Sequence, residues 1–256
     1  MSIVAEPVLR AFIEAQLMKQ QSPQAIAGRL ATGVEGLAYV STNSTYRYID
    51  SVHGRKLEYD LKVLKQKRKG RRKRPPVETL GTRTFINDRP ELITKRQRIG
   101  DLEAGFIVSG KTGTGYLLTA VDRKLRYGFI RKILPVTISN VETAFLDIKQ
   151  EFPELTSMTL DNDILFRFHE RLERLLGVPV YFTHPYSSWQ KGSIENLNGQ
   201  IQKYVKKGAD ISQYSPKYLE FVTTRLNSRF MSVLDYKTPE EVLTKYRKDP
   251  KNKTSR

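Results

Sequence analysis

Between Lys62 and Arg74, nine of thirteen residues are Lys or Arg, and no folded core can be built from such a run. Like charges at this density need counter-ions, so the segment is expected to stay disordered until it meets phosphate. Pro75 and Pro76 follow it, and the run divides the 256-residue chain into two foldable parts. The bias extends to the whole chain, where 44 Lys and Arg face 27 Asp and Glu for a formal charge of +17. Such an excess self-repels unless a polyanion neutralises it, which makes nucleic acid the leading partner and a membrane surface the second. No apolar run approaches the roughly 18–20 residues that span a bilayer. The chain has no cysteine and three scattered histidines. Any metal would therefore be held by carboxylates, which suits Mg²⁺ or Mn²⁺. These bounds point to a cytoplasmic, nucleic-acid-facing protein.

Ahead of the basic run, residues 4–19 carry Val4, Val8, Leu9, Phe12, Ile13 and Leu17 at helical spacing. Ser22 and Pro23 start a second helix as cap and first residue. Gly33 and Gly36 break it, and a third helix runs from about Ser41 to His53-Gly54. Three short helices with a glycine break before the last form a helix-turn-helix pattern. Thr42, Asn43, Ser44 and Arg47 near the start of the last helix suit contacts with base edges or phosphates. A plain three-helix bundle with a polar surface reads the same residues equally well. The basic run tips the balance towards DNA, and Lys67, Arg68, Lys69, Arg71, Arg72, Lys73 and Arg74 are its candidate phosphate contacts.

Beyond the run, residues 106–108, 116–121 and 125–134 are β-rich and separated by glycine or charged turns. An amphipathic helix over 140–152, a strand over 155–160, a helix over 164–176, a strand over 178–182 and a polar helix over 192–207 follow. Three strands and then alternating helix and strand predict a mixed sheet flanked by helices, an α/β fold in the element order of a ribonuclease-H-like core. The expected organisation is a helix-turn-helix domain over 1–55, a basic flexible linker over 56–92, a sheet domain over 93–215, and C-terminal helices with a basic tail over 216–256.

Two carboxylates stand out. Asp161 ends a buried strand, where open α/β sheets place their ligands, and Glu195 sits near the start of the polar helix. Two such acids can bridge divalent ions for in-line phosphoryl displacement. A strand-end turn Asp and a helix-dipole Glu fit the spacing too, so both readings stand on spacing alone.

The motifs go further. Ser22-Pro-Gln-Ala-Ile-Ala-Gly-Arg-Leu30, Thr45-Tyr-Arg-Tyr-Ile49, Ile99-Gly-Asp-Leu-Glu103, Thr159-Leu-Asp161-Asn162 and His184-Pro-Tyr-Ser-Ser-Trp-Gln-Lys-Gly-Ser-Ile-Glu-Asn-Leu-Asn198 resemble segments of bacterial DDE transposases of the insertion-sequence thirty family. The resemblance implies a helix-turn-helix that recognises terminal inverted repeats in double-stranded DNA. It also implies an integrase-type core that cleaves a phosphodiester and joins the freed 3′-hydroxyl to target DNA. By the same resemblance Asp161 and Glu195 are metal ligands, with two Mg²⁺ or Mn²⁺ ions in an intact site, and synapsis of two ends calls for a homo-oligomer on DNA. Lys191 and Lys203 beside the Glu195 helix become phosphate contacts, and Trp189 and Asn196 substrate-positioning residues.

The chain departs from the family pattern in two places. The family usually carries a further DNA-binding region upstream, for which this chain begins too late. Where the pattern Gly-Asp-Trp-Glu-Gly-Asp places the first catalytic aspartate, this chain reads Gly100-Asp-Leu-Glu-Ala-Gly105. Gly105 lies 56 residues before Asp161, and Glu195 lies 34 after it. Glycine offers no ligand, so impaired cleavage is expected; Glu103, two residues earlier on the same strand face, is the candidate substitute. A non-enzymatic DNA-binding relative is the alternative. A nucleotide-binding protein is the second alternative, because Gly105 to Thr112 matches a phosphate-loop pattern through Lys111. That loop needs a helix at its Lys-Thr, whereas the sequence here predicts a hairpin turn.

Overall fold

A computed structural model describes residues 3–54, 83–184 and 187–252. The basic run, and with it Lys67, Arg68, Lys69, Arg71, Arg72, Lys73 and Arg74, lies outside the described residues. Those described fall into two compact units: residues up to 54 together with those from 227 onwards, and residues 83–226.

In the first unit, α1 (Pro7–Met18), α2 (Pro23–Ala31) and α3 (Thr42–Asp50) enclose a core of Leu9, Ile13, Leu17, Ile26, Leu30, Tyr48 and Ile49. Ser22 and Ser41 cap α2 and α3 by accepting backbone N–H bonds from Ala25 and Ser44, satisfying donors that a helix start leaves orphaned. Gly33 and Gly36 both take positive φ in the connection, where a side chain would be strained. The C-terminal helix, Pro239–Lys248, joins this unit behind a Thr238–Glu241 capping box. Glu241 reaches the buried Arg29 of α2 with both oxygens, at 2.6 and 3.0 Å. Phe230 lies under the same guanidinium, and Gln21 bonds Ser228 and Phe230. The 216–256 stretch is thus divided, because Pro216–Asn227 instead contributes Leu219, Val222 and Leu226 to the sheet's core.

In the second unit, β1 (Asp101–Val108), β2 (Tyr116–Asp122), β3 (Gly128–Ile133), β4 (Ser157–Leu160) and β5 (Val180–Phe182) form one sheet in the order β3-β2-β1-β4-β5. β1–β3 form an antiparallel meander, and β4 and β5 add in parallel. The parallel strands need crossovers. Ile138–Glu151 supplies one between β3 and β4, and His169–Leu176 the other between β4 and β5. On one face, Ile107, Leu117 and Val121 pack with Ile194, Leu197 and Ile201 of the helix Gly192–Ile201. On the other, Phe129 meets Phe152. This is the ribonuclease-H-like arrangement with a small all-α region ahead of it.

Several boundaries differ from the expectation. The helix from 192 stops at Ile201 instead of 207, and residues 164–176 split into a 3-10 turn, Ile164–Phe166, and the helix from His169. Residues 83–92, assigned above to the linker, belong to the sheet unit. Phe182 donates its N–H to Thr84, Phe85 bridges Phe182, and Arg89 is buried with Nη1 on Thr159. Charge density gave no notice of this, because the pairing depends on the edge strand they meet. Residues 109–115 turn β1 into β2, and no helix begins at Lys111-Thr112. The turn is held by Asp210, which accepts the Thr114 N–H.

Candidate active site

The register of the sheet sets the site. Glu103 pairs with Thr159 across β1 and β4, so two residues further along both parallel strands stand Gly105 and Asp161. A Cβ on Gly105 would lie 3.6 Å from Oδ2 of Asp161 and 4.0 Å from Ile194. Ile194 immediately precedes Glu195 in the first turns of its helix, whose Gly192–Ile201 axis packs on this sheet face. The glycine thus faces the Asp161 carboxylate and the helix segment that carries Glu195.

Asp161 is held by Lys191, whose Nζ lies 2.8 Å from Oδ2. Its other oxygen is buried and has no hydrogen-bond partner among the described residues. Beside it, Asn162 accepts from Arg83 Nη1 and donates to the Thr183 carbonyl. The Arg83 guanidinium lies 4.3 Å over the Phe182 ring. Burial holds its pKa below the usual arginine value, against the opposing pull of Asp161. Glu195 and Asn196 are exposed on their helix, and so is Lys203 beyond its end. The side chain of Trp189 lies outside the described residues.

Glu103 is placed differently from a free substitute ligand. Its Oε2 accepts the backbone N–H groups of Ser193 and Ile194 at 3.0 and 3.1 Å, and its Oε1 pairs with Arg123 at 3.1 Å. The side chain is 1% exposed. Glu103 therefore closes the start of the Glu195 helix with one oxygen, where the helix dipole favours an anion, and holds the Arg123 guanidinium with the other. Asp101 is likewise committed, to Arg98 and to the Ser157 hydroxyl. Asp122 accepts three backbone N–H groups, from Gly100, Lys124 and Leu125, and burial pushes its pKa up to about 6.

Among the described residues no group of three His, Cys, Asp or Glu is placed to hold a metal ion. At Asp161 an ammonium covers one oxygen, Gly105 offers no ligand, and Glu103 is spent on a helix start and on Arg123. The donor set does not fit a pair of divalent ions.

In the helical unit, Asn43, Tyr46, Arg47 and Asp50 form one exposed stripe of α3, while Thr45, Tyr48 and Ile49 face inwards. Thr42 and Ser44 are half-buried, and Ser44 is engaged with Ser41. Four buried or half-buried arginines (Arg83, Arg89, Arg123 and Arg126) line the sheet unit near these acids and were missed by sequence reasoning. No local pattern marks them, since each acquires its role from residues distant in the chain.

No protein-family model matches the chain. It is 34% identical over 247 residues to the transposase of insertion sequence element IS4351 from Bacteroides fragilis, covering 93% of this chain and 73% of that protein. The chain belongs to the insertion-sequence thirty family of DDE transposases. Further members include the InsI transposase of IS30C from Escherichia coli K12, 36% identical over 162 residues, which are 62% of this chain and 42% of that protein. The probable transposase of IS1161 from Streptococcus salivarius is 31% identical over 79% of this chain and 58% of its own length. The chain thus spans between about two-fifths and three-quarters of these relatives. The fold of this chain is also similar to that of a chain in a cryo-EM structure of the simian T-cell lymphotropic virus intasome with a PP2A regulatory subunit. There the TM-score is 0.50 at 14% identity, over 86% of this chain and 72% of that one.

Proposed function

We propose that this transposase-family chain binds double-stranded DNA at element ends and has little or no cleavage and strand-transfer activity of its own. The exposed stripe of α3 and the basic run at 62–74 supply the DNA contacts. Terminal inverted repeats are the sequence bound there and target DNA the second partner, in a cytoplasmic, nucleoid-associated homo-oligomer. No helix among the described residues is long and apolar enough to cross a membrane. In an intact family site Asp161, Glu195 and an aspartate at position 105 would hold two Mg²⁺ or Mn²⁺ ions, which activate the attacking oxygen and steady the leaving one. The observation that carries the reading is Gly105 facing Asp161, whose Oδ2 is in ion-pair contact with Lys191. Mg²⁺ requires near-ideal octahedral coordination, so losing one ligand misplaces the nucleophile.

The test is cleavage and joining of end-containing DNA in Mg²⁺ or Mn²⁺, alongside binding of the same DNA at several salt concentrations. Salt-sensitive binding without cleavage is expected. Robust cleavage by the wild-type chain would overturn the proposal.

A further inference from the structure

We infer that the flank of the helix Pro216–Asn227 that carries Phe221 is a stacking platform for single-stranded DNA. The inference rests on the DNA-binding reading above. Leu219, Val222 and Leu226 turn the inner side of this helix into the sheet's core. One flank of the same helix carries rings. Tyr214, just ahead of it, stacks on Tyr218 with centroids 5.6 Å apart, and Tyr218 meets Phe221 at 6.3 Å. The Arg225 guanidinium closes the row, 5.3 Å over the Phe221 ring. The two tyrosines lean on the core, and the Tyr218 hydroxyl donates to the Tyr204 carbonyl at 3.1 Å, so the row is fixed before any ligand arrives. Phe221 stands outside that core and is 48% exposed. Lys217 and Arg225 lie four residues before and after it, on its side of the helix, whereas the acid Glu220 is turned about 100° away. At the Tyr214 end, the Lys132 ammonium is held by the Ser212 and Tyr214 carbonyls at 2.6 and 3.0 Å. Rings interleaved with cations match a single strand, in which each base offers a π-face and each link a charge. A duplex hides its base faces inside the stack and would leave the rings without a role. An apolar protein partner would call for aliphatic neighbours around Phe221, but past Pro216 the other exposed residues of the helix are Lys217, Glu220 and Thr224. The formal charge of +17 also favours a polyanion.

The experiment measures binding of the full chain to a short labelled oligothymidylate, which forms no duplex, and to a labelled duplex of similar length. Phe221→Leu keeps an apolar side chain but removes the ring. It should weaken single-strand binding roughly 5- to 150-fold and leave duplex binding at the wild-type level. Phe221→Trp should bind the single strand at least as tightly as wild type. Lys217→Gln should lower the slope of log affinity against log salt on the single strand by about 0.7. Thermal unfolding of each variant reports whether the fold is kept, and Lys217→Gln decides if Phe221→Leu does not fold. Phe221→Leu binding the oligothymidylate as wild type does, or losing duplex binding by the same factor, would overturn the inference, as would a wild-type salt slope in Lys217→Gln. A wild-type chain that binds the duplex but not the single strand would overturn the inference alone. One that binds neither would overturn the DNA-binding reading with it.

Discussion

Gly105→Asp supplies the acid that the proposed site lacks, and its consequences can be worked out from the distances. The new Cβ meets only ordinary van der Waals neighbours, at 3.6 and 4.0 Å, so the β-carbon itself forces no shift. Its cost is electrostatic. Two carboxylates about 4 Å apart repel by roughly 4 kcal/mol at an effective dielectric of about 20. The Lys191 ammonium offsets part of this, leaving a net destabilisation of about 2–4 kcal/mol in EDTA. For a unit of this size that is a fall in Tm of roughly 5–15 °C. A divalent ion that bridges the acids binds only the folded state and would return about 2.7 kcal/mol at a hundred times its Kd. Differential scanning fluorimetry with Mn²⁺ against EDTA reads both effects. The wild-type Tm should not respond to Mn²⁺, whereas the variant should melt early in EDTA and recover with the ion, and cleavage should appear under the same conditions. A variant as stable as wild type in EDTA and indifferent to Mn²⁺ would refute the placement of position 105 beside Asp161.

Three further outcomes follow from the contacts. Glu103→Gln should destabilise the sheet unit by about 3–5 kcal/mol in urea unfolding, because it leaves Arg123 as an uncompensated buried charge. Asp122 has a folded pKa near 6, raised above the ordinary 3.8, so the folded state binds its proton more tightly than the unfolded chain. Stability from this group is present below pH 4 and lost as the pH rises to 6, about 3 kcal/mol in all; Asp122→Asn should remove that component from the stability-pH curve. Gly28→Ala would place a methyl 2.0 Å from the Tyr236 ring, and should cost the helical unit about 1–3 kcal/mol, with Tyr236→Ala in the same chain recovering part of it.

The sheet and its crossovers were legible because β-branched runs and amphipathic helices alternate in a fixed order. Their ends were less so. Residues 202–207 continue a helical pattern by composition, yet the chain turns there and Gly208 takes positive φ. The motif resemblance singled out Gly105 and Asp161 as candidates, and the register of β1 and β4 puts the two side by side. The fate of Glu103 was not legible, since its partners Ser193, Ile194 and Arg123 are set by how the helix packs on the sheet. Nor was the Arg83 position, which depends on the ring of Phe182. The return of the chain's end to α2 was equally hidden: Arg29 and Glu241 are 212 residues apart, and no local signal links them.

That return has a consequence for synthesis on the ribosome. Arg29 is made early, but its partner leaves the exit tunnel only after the entire sheet has been translated. The helical unit therefore cannot reach its final packing ahead of its neighbour, as a contiguous amino-terminal domain would. A nascent chain of this design completes its helical unit last, when the rest of the polypeptide is already available to fold.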